Sequence, residues 1–443
     1  MKKVPLFTYI SLFLLLGACS KGEDQAKLPE ENPTNEEPKS EIYFTLNVSQ
    51  NIIPDSYEEW VLIHDLNGNL MDYKMVQNGE TATFEALDTE IKATYNITKL
   101  TRTLFSDGET SRYFLNTYTN IPKGSIWNYA GTNLNTTSEV NPDVDGSFSL
   151  NVYNIPPTYR FSICSLENPF VYGSYFDLRN TSQLSLPEVD LFETSNYILS
   201  ILDGNNELKY TYLENIQADG NLDLDYSQFL DFDKYITIDL PNQDIDYNYF
   251  IDGLGENIDY PGNVGYEYQS NLGEFGDPPY RPYLKLGYLD IFSKFKTYFG
   301  ITMNDDNYTY TFYKQGTPPN AILIPEKPIF TISAESMDRL EFSIDKEYQY
   351  YVISWRAEQE TGRPEPDLTL WKVYSENDSN TVMSEMPEEI RLKYPTLNLV
   401  DMEYQDVNLY LQDETYNDFL DKSYISNYSK SNSEFTSEVI VLH

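Results

Sequence analysis

Short runs in which apolar and polar residues alternate are the feature that most constrains this chain. They recur along its length, at 44–48, 148–152, 222–226, 236–240, 340–344 and 407–411. Because successive side chains of a β-strand point to opposite faces, each run predicts a strand with one buried and one solvated face. Helical periodicity is scarce, and only Ile291–Phe299 and Tyr416–Tyr424 are predicted as short helices.

Turn signals separate these runs. They are Asn-Gly or Asp-Gly pairs, at 67–68, 78–79, 107–108, 203–204 and 219–220. Such pairs accept the positive φ angles of tight hairpin turns. The clearest predicted hairpin runs from Trp60 to Met75 and turns at Asn67-Gly68. Antiparallel strands with frequent turns and little helix predict an all-β chain of tandem antiparallel β-sandwich domains, of immunoglobulin-like or fibronectin-like type.

The predicted domain organisation follows shifts in composition. The segment 19–40 is rich in Glu, Asn, Pro and Lys and almost free of apolar residues, so it is predicted as a disordered tether. We predict β-sandwiches over 41–160, 161–245 and 329–443, separated at Pro-containing breaks. A Tyr-, Gly- and Pro-rich β region with long loops is predicted over 246–328.

The N-terminus has the parts of a secretory signal. Residues 1–3 (MKK) are basic, and the apolar run after them is roughly ten residues long, whereas a membrane-spanning helix needs about 20. The run ends in Leu-Gly-Ala-Cys at 16–19. An aliphatic residue, two small residues and a cysteine in this order resemble the lipobox of bacterial lipoproteins.

The lipobox resemblance implies where in the cell the protein is localised. Residues 1–18 would be a lipoprotein signal peptide, and the mature chain would begin at Cys19 with fatty acyl chains such as palmitate on it. Two or more acyl chains anchor a protein stably, so the membrane is the implied partner of this end. Acidic residues soon after Cys19 resemble the surface-export signal of Bacteroidota lipoproteins, which implies an outer-membrane lipoprotein facing the cell exterior.

The formal net charge of −40 excludes one class of function and leaves two interpretations. A chain this acidic repels phosphate backbones, so we predict no nucleic-acid binding. Solubility of an exposed protein is the first interpretation of the charge, and binding of Ca²⁺, which takes oxygen ligands, is the alternative. The acidic loops 141–146 and 304–307 are the candidates for Ca²⁺; the first is no EF-hand because Val152 stands at the twelfth position. No other metal or cofactor is predicted.

Cysteine and histidine usage restricts the chemistry further. Cys164 has no partner for an intrachain disulfide once Cys19 carries lipid, so we interpret it as a buried, inert thiol. The two histidines, His64 and His443, exclude His-rich zinc sites, and no GxSxG motif accompanies them. His64 ends an apolar run and is interpreted as structural.

Aromatic residues in loops are the candidate ligand-binding groups. Tyr260, Tyr266 and Tyr268 lie in the Tyr-rich region among interleaved glycines, and Trp127 and Tyr129 form a second group. Long irregular loops are often functional, and tyrosine offers a flat apolar face with a polar tip, which suits sugar rings and protein partners. The alternative is that these rings pack the loops against a sheet.

Three functional hypotheses remain. The first is a surface lipoprotein that binds a glycan or an envelope protein through exposed aromatic loops, which requires these rings to be accessible. The second is a structural or adhesive lipoprotein, such as a stalk or a fimbria-associated protein. The third is a carboxylate-dependent glycan hydrolase. We name no catalytic residues and predict no enzyme, because among 70 Asp and Glu some pair always lies at the spacing that glycosidases need.

Overall fold

Strands fill most of the chain from Ser40 onward. The structure, a computed structural model, describes residues 40–87, 92–105, 108–129, 144–165, 171–172, 180–192, 196–205, 207–254, 264–270, 283–292, 294–304, 307–336, 339–363, 365–376, 384–411, 414–425 and 434–443. The predicted signal peptide and Cys19 lie outside these residues, and of the predicted tether only Ser40 lies within them.

The first half of the described chain forms short strands joined by turns. Its strands are β1 (Ser40–Val48), β2 (Tyr57–His64), β3 (Leu70–Val76), β4 (Thr81–Leu87), β5 (Thr94–Leu104), β6 (Ser111–Pro122), β7 (Ser125–Tyr129), β8 (Val144–Tyr153), β9 (Arg160–Ser165), β10 (Val171–Tyr172), β11 (Leu184–Phe192), β12 (Tyr197–Leu202), β13 (Leu208–Leu213), β14 (Asn221–Asp225) and β15 (Leu230–Asp231). A single 3₁₀ turn, Tyr226–Gln228, interrupts this series within the described residues.

The second half adds strands and two short helices among the described residues. The strands are β16 (Lys234–Asp239), β17 (Ile245–Leu254), β18 (Val264–Ser270), β19 (Tyr283–Tyr288), β20 (Lys294–Met303), β21 (Tyr308–Gly316), β22 (Ala321–Ile322), β23 (Phe330–Ser336), β24 (Arg339–Ile344), β25 (Tyr350–Gln359), β26 (Asp367–Glu376), β27 (Glu403–Tyr410) and β28 (Phe435–Leu442). The helices are α1 (Glu388–Lys393) and α2 (Tyr416–Leu420), and a π-helical turn, Asp421–Ile425, follows α2. The predicted all-β fold class is confirmed, and each of the six alternating runs lies in a strand, except that three of them extend one residue past the strand end.

The two predicted helices have different outcomes. The segment Tyr416–Tyr424 is helical, as α2 and the π-helical turn. The prediction of a helix over Ile291–Phe299 is wrong, because this segment leads into β20. Its apolar residues fit both periods, and β20 pairs along its whole length with β17 on one side and β21 on the other. Pairing on both sides decides the conformation.

The predicted hairpin from Trp60 to Met75 is confirmed as β2 and β3. At its turn Gly68 takes a φ of 81°, which favours glycine. The Asp65 carboxylate accepts hydrogen bonds from the backbone N–H groups of Asn67 and Asn69, both at 2.9 Å. These bonds satisfy turn amides that the strands cannot pair.

One large sheet dominates the described topology. It has twelve strands in the order β18-β17-β20-β21-β28-β27-β25-β26-β6-β5-β2-β3. Most neighbours are antiparallel, and β26 pairs with β6 in parallel. The smaller sheets have the orders β4-β1-β7, β11-β8-β14, β10-β9-β12-β13-β15, β19-β16-β22 and β23-β24.

This topology differs from the predicted division into domains. The twelve-stranded sheet takes strands from 41–160, 246–328 and 329–443, and β8 pairs with β11 and β14 of the predicted second domain. Ser40–His443 is one compact unit. The difference has a physical reason: a proline-rich break ends a strand, but it does not determine which distant strand that strand pairs with.

Three groups of buried side chains hold the layers together. The large core lies on one face of the twelve-stranded sheet and includes the β16 and β19 strands. A second group, called here the Trp127 core, joins the other face of that sheet to β1, β4, β7 and α2. The third fills the middle sandwich, defined as the two sheets that β8 to β15 form at residues 144–231.

Strand β2 shows that the twelve-stranded sheet contributes side chains to two cores, one on each face. Its apolar run is buried on both faces, with Trp60 and Leu62 in the large core and Val61 and Ile63 in the Trp127 core. A continuous apolar run is typical of a strand that is covered on both sides. Among the described residues, no helix is long and apolar enough to cross a membrane.

Candidate functional site: a cleft beside Trp127

Trp127 lies in β7, in a parallel pairing next to Leu46 of β1. Its side chain is only 3% exposed. Tyr424 stacks on the indole with 4.2 Å between ring centroids, and Phe44 and Tyr118 meet it edge-on at 5.3 Å. The prediction that this ring is open to solvent is therefore wrong, because neighbouring rings cover it.

A row of aromatic rings continues from this point through the Trp127 core. Tyr118 stacks on Tyr374 at 4.8 Å, Tyr374 on Phe419 at 5.3 Å, and Phe419 on Tyr350 at 5.4 Å between centroids. Tyr350 in turn stacks on Tyr410 at 4.2 Å. Offset stacked rings add about 0.5–1.5 kcal/mol per pair beyond the burial of their area. The row fastens α2 to the twelve-stranded sheet.

Hydrogen bonds from tyrosine hydroxyls also hold α2 and the π-helical turn against the twelve-stranded sheet. The Tyr416 hydroxyl lies 3.0 Å from the Thr119 carbonyl oxygen and 3.1 Å from that of Tyr374, and it donates to them. The Tyr424 hydroxyl donates to the Tyr118 hydroxyl at 2.6 Å. Burial raises the pKa of Tyr416 and of Tyr118 well above the ordinary value, so both phenols stay neutral.

A cleft of about 330 Å³ opens between the end of β6, strand β7 and α2. Its lining residues are Ile121, Pro122, Ser125, Trp127, Asn417, Asp418, Leu420 and Asp421. Trp127 also lines a much smaller inner cavity, so its indole lies between the two spaces. The cleft combines an apolar wall with a polar rim, the usual composition of a small-ligand site.

The indole N–H of Trp127 has no hydrogen-bond acceptor among the residues that the structure describes. By contrast, the indole N–H of Trp60 donates to the Tyr394 hydroxyl at 3.0 Å, and that of Trp371 donates to Thr117 Oγ1 at 2.8 Å. Trp127 Nε1 is not among the fully buried side-chain atoms that lack a partner, so this N–H is open to a partner in the cleft. An oxygen atom of a ligand in the cleft would supply one for Trp127.

The polar rim comes from α2. Asn417 and Asp418 are exposed there. Thr415 begins the helix with a capping box, in which Asp418 Oδ2 accepts from the Thr415 backbone N–H at 3.0 Å and from its hydroxyl at 2.7 Å. These hydrogen bonds lower the pKa of Asp418 below its usual range, so its carboxylate is ionised at neutral pH.

The electrostatic character of the cleft is anionic. Asp418 and Asp421 line it, and no lysine or arginine is among the lining residues that the structure describes. The adjoining cations are paired with carboxylates, Lys123 with Glu41 at 2.6 Å and Lys422 with Glu414 at 2.8 Å. An incoming carboxylate or sulfate would therefore meet like charge.

The inner cavity contains a buried ion pair. Lys99 Nζ lies 3.2 Å from Glu59 Oε2, and the Glu59 side chain is only 3% exposed. The ammonium group also lies 3.5 Å from the ring centroid of Tyr129, whose hydroxyl donates to Glu59 Oε1 at 3.1 Å. Burial lowers the pKa of Lys99. The cavity measures only about 10 Å³, about the size of one water molecule.

The other predicted ligand-binding residues are only partly placed. Tyr129 lies in β7 with Trp127, and both line the inner cavity. Tyr266 and Tyr268 belong to β18, where their backbones pair with Ile251 and Tyr249, and their side chains lie outside what the structure describes. Tyr260 also lies outside the described residues. The structure thus brings Trp127 and Tyr129 together, in a different sheet from Tyr266 and Tyr268.

The predicted calcium loops are only partly described. Residues 141–143, 305 and 306 lie outside the described residues, whereas Asp145 and Gly146 are the second and third residues of β8. In the described ranges no group of three or more His, Cys, Asp or Glu side chains could hold a metal ion. The structure therefore offers no described set of ligands on which to build a metal site.

His64 and Cys164, both interpreted from the sequence as structural, lie in strands. The His64 ring is fully buried, and its Nε2 lies 2.9 Å from the Glu385 carbonyl oxygen, to which it donates. This contact agrees with a structural role. The backbone of Cys164 lies in β9, where it pairs with Ile198 of β12, and its side chain lies outside the description.

Sequence reasoning missed Asn417, Asp418 and Asp421. The Thr-x-x-Asp pattern at 415–418 is a local signal for a helix start and could have located α2. No local signal shows that α2 packs against β6 and β7, which lie about three hundred residues earlier in the chain.

Comparison with known proteins adds little to this description. No protein-family model matches the chain, and no curated protein matches it. Among solved structures, it is similar to one described as a Ca²⁺-stabilized adhesin that helps an Antarctic bacterium reach out and bind ice, at 7% identity over 91% of this chain and 99% of that chain. The TM-score of this pair is 0.13, a value that carries no argument about fold or function.

Proposed function

We propose that this protein is an outer-membrane lipoprotein, anchored through lipid on Cys19, whose folded unit Ser40–His443 faces the cell exterior and binds a ligand. The observation that carries the binding part is the cleft of about 330 Å³ beside Trp127. It is concave, it has an apolar wall, and it holds the Trp127 indole N–H, which has no acceptor among the described residues. Small-ligand sites have this combination of shape and polarity.

The anchoring part rests on the N-terminal sequence. The lipobox at 16–19 and the acidic residues after Cys19 support a lipid anchor and export to the surface. Mass spectrometry of the native protein tests the anchor: the expected N-terminal peptide begins at Cys19 and carries acyl chains. An unmodified cysteine, or one still preceded by residues 1–18, would contradict the proposed lipid anchor and localisation. Protease accessibility on intact cells then tests the surface orientation.

Binding is favoured over hydrolysis in this cleft. A glycosidase needs one carboxyl group that is protonated at working pH and a second that is ionised. The hydrogen bonds from Thr415 hold Asp418 in the ionised form, so it is unsuited to the role of general acid. Asp418 could still serve as the ionised carboxylate, but no general acid is identified among the described lining residues, so we propose a binding role for the cleft.

The test is a pair of screens on the full chain solubilised in detergent. A glycan array detects sugar ligands, and a pull-down from envelope extracts detects protein partners, each with and without Ca²⁺. Binding that Asn417→Ala weakens supports a ligand-binding function at the cleft, because the exposed Asn417 amide lines it. Tyr153→Phe, which alters an exposed tyrosine of the middle sandwich, is the matched control. An absence of binding in both screens would favour the structural or adhesive alternative.

A further inference from the structure

We infer that the cleft beside Trp127 takes an uncharged saccharide residue, and this inference rests on the proposed ligand-binding function. The cleft volume of about 330 Å³ lies at the lower end of the about 300–1,000 Å³ that small-ligand sites occupy. A protein partner would need a surface of about 800 Å² on each side. A concave space of this volume, lined by eight of the described residues, fits a sugar residue better than a protein surface.

The hydrogen-bonding groups of the cleft require a ligand that both donates and accepts. The Trp127 indole N–H is a donor only and lacks an acceptor among the described residues. The Asp418 carboxylate is an acceptor only, and the Asn417 amide, which has no partner in the described part of the chain, offers both. A sugar hydroxyl donates one hydrogen bond and accepts others, so neighbouring hydroxyls can satisfy all three groups.

The charge of the cleft excludes acidic ligands. Recognition of a carboxylate or sulfate uses arginine or lysine, and neither is among the described residues that line the cleft. Asp418 and Asp421 line the same space. An acidic sugar would lose its hydration without gaining a cationic partner.

A cationic ligand also fits poorly. An ammonium group has no lone pair, so it cannot accept from the Trp127 N–H. The Trp127 N–H would then receive no acceptor from the ligand, whereas a sugar hydroxyl supplies one.

The experiment compares matched neutral and acidic sugars on the full chain in detergent. The probes are gluco-, manno- and galacto-oligosaccharides, with oligogalacturonate as the acidic counterpart of the last series, and affinities are measured by calorimetry. We expect at least one neutral series to bind and oligogalacturonate to bind at least about tenfold more weakly. Trp127→Phe keeps an aromatic ring but removes the N–H, and a lost hydrogen bond corresponds to about a tenfold weaker affinity for the neutral sugar.

Three further variants make the assignment falsifiable. Asn417→Ala alters an exposed side chain, so it tests the cleft even where Trp127→Phe reduces folding; we expect a severalfold weaker affinity. The double variant Asp418→Asn with Asp421→Asn keeps side-chain size and removes both charges, and we expect it to narrow the difference between galacto-oligosaccharide and oligogalacturonate. Tyr153→Phe lies in the middle sandwich and is expected to change nothing.

The outcomes separate this inference from the proposed function. The inference is overturned if oligogalacturonate binds as tightly as the neutral sugar. It is also overturned if neither Trp127→Phe nor Asn417→Ala weakens sugar binding. Capture of a protein partner with no sugar bound also overturns it while the ligand-binding function stands. If no sugar and no protein binds to a folded chain, both the inference and the proposed function fall.

Discussion

The Trp127 core and the middle sandwich are both layers of sheet packed on sheet, yet they draw on very different spans of chain. The side chains that fill the middle sandwich all come from residues 148–229. Those of the Trp127 core come from residues 43–129, 350–352, 374, 410 and 416–424. One is assembled locally and the other joins distant parts of the chain.

The two regions also bury different groups. The middle sandwich is filled mainly by aliphatic side chains that alternate along its strands, such as Leu150 and Val152. The Trp127 core is rich in stacked rings and tyrosine hydroxyls, and it borders the buried Glu59–Lys99 pair. The comparison teaches that the candidate site lies where packing depends on long-range contacts and on buried polar groups.

The largest expected effect is the loss of the indole. We expect Trp127→Ala to lower the free energy of unfolding by about 3–5 kcal/mol, because removing a buried Trp leaves a cavity. Chemical denaturation measures the loss, and hydrogen exchange locates it. Exchange should accelerate at β7 and α2 and stay unchanged in β8 and β12 of the middle sandwich. A loss below about 1 kcal/mol would show that Tyr424 and Phe44 do not depend on this ring.

A buried ion pair and an exposed one provide the second contrast. We expect Lys99→Met to cost about 3 kcal/mol, because it leaves Glu59 charged and buried. The double variant Glu59→Gln with Lys99→Met should recover most of this loss. In the middle sandwich, Lys209 pairs at 3.3 Å with Asp231, whose side chain is 73% exposed. Because such pairs are screened by water, Lys209→Met should stay within about 1 kcal/mol. Equal losses at both lysines would contradict the distinction.

The third contrast is a dependence on pH that comes from His64. Burial lowers the pKa of His64 below its ordinary value of 6.5. The unfolded chain therefore binds more protons as pH falls below about 6.5, and the folded state loses stability in that direction. We expect a slope of up to about 1.4 kcal/mol per pH unit between pH 6.5 and 5.5.

Denaturation curves at several pH values measure this slope. His64→Gln should flatten it, and His443→Gln, at the exposed C-terminus, should leave it unchanged. The middle sandwich contains no histidine, so its local exchange should not show the same step. A slope that persists in His64→Gln would assign the dependence to other groups.

The smallest expected effects come from single tyrosine hydroxyls, one in each region. Tyr416 donates to the Thr119 and Tyr374 carbonyl oxygens, and Tyr197 donates to the Asp190 carbonyl oxygen at 2.8 Å. We expect Tyr416→Phe and Tyr197→Phe each to cost about 1 kcal/mol, since the net value of a hydrogen bond depends on burial and not on sequence separation. Thermal unfolding of both variants tests this. A much larger loss for Tyr416→Phe would mean that its hydroxyl alone fastens α2.

The strands were predictable because their signals are local. Alternation along Phe148–Val152 and the Asn67-Gly68 turn act over a few residues, and both predictions are confirmed. The helix predicted over Ile291–Phe299 failed because its residues fit two periods, and only the partners β17 and β21 distinguish them. The accessibility of Trp127 failed for a related reason: Tyr424, which covers it, lies almost three hundred residues further along the chain.

By itself, the sequence determined the class of structure, since a period of two and the turn chemistry of Asn-Gly and Asp-Gly pairs follow from backbone geometry within a few residues. Only the tertiary structure decided which strands share a sheet and which rings face solvent. An alternating run indicates that a segment forms a strand. Backbone hydrogen bonds between strands do not depend on the side chains, so the run does not identify the strand with which it pairs. The cleft beside Trp127 therefore exists only once α2 has packed against β6 and β7.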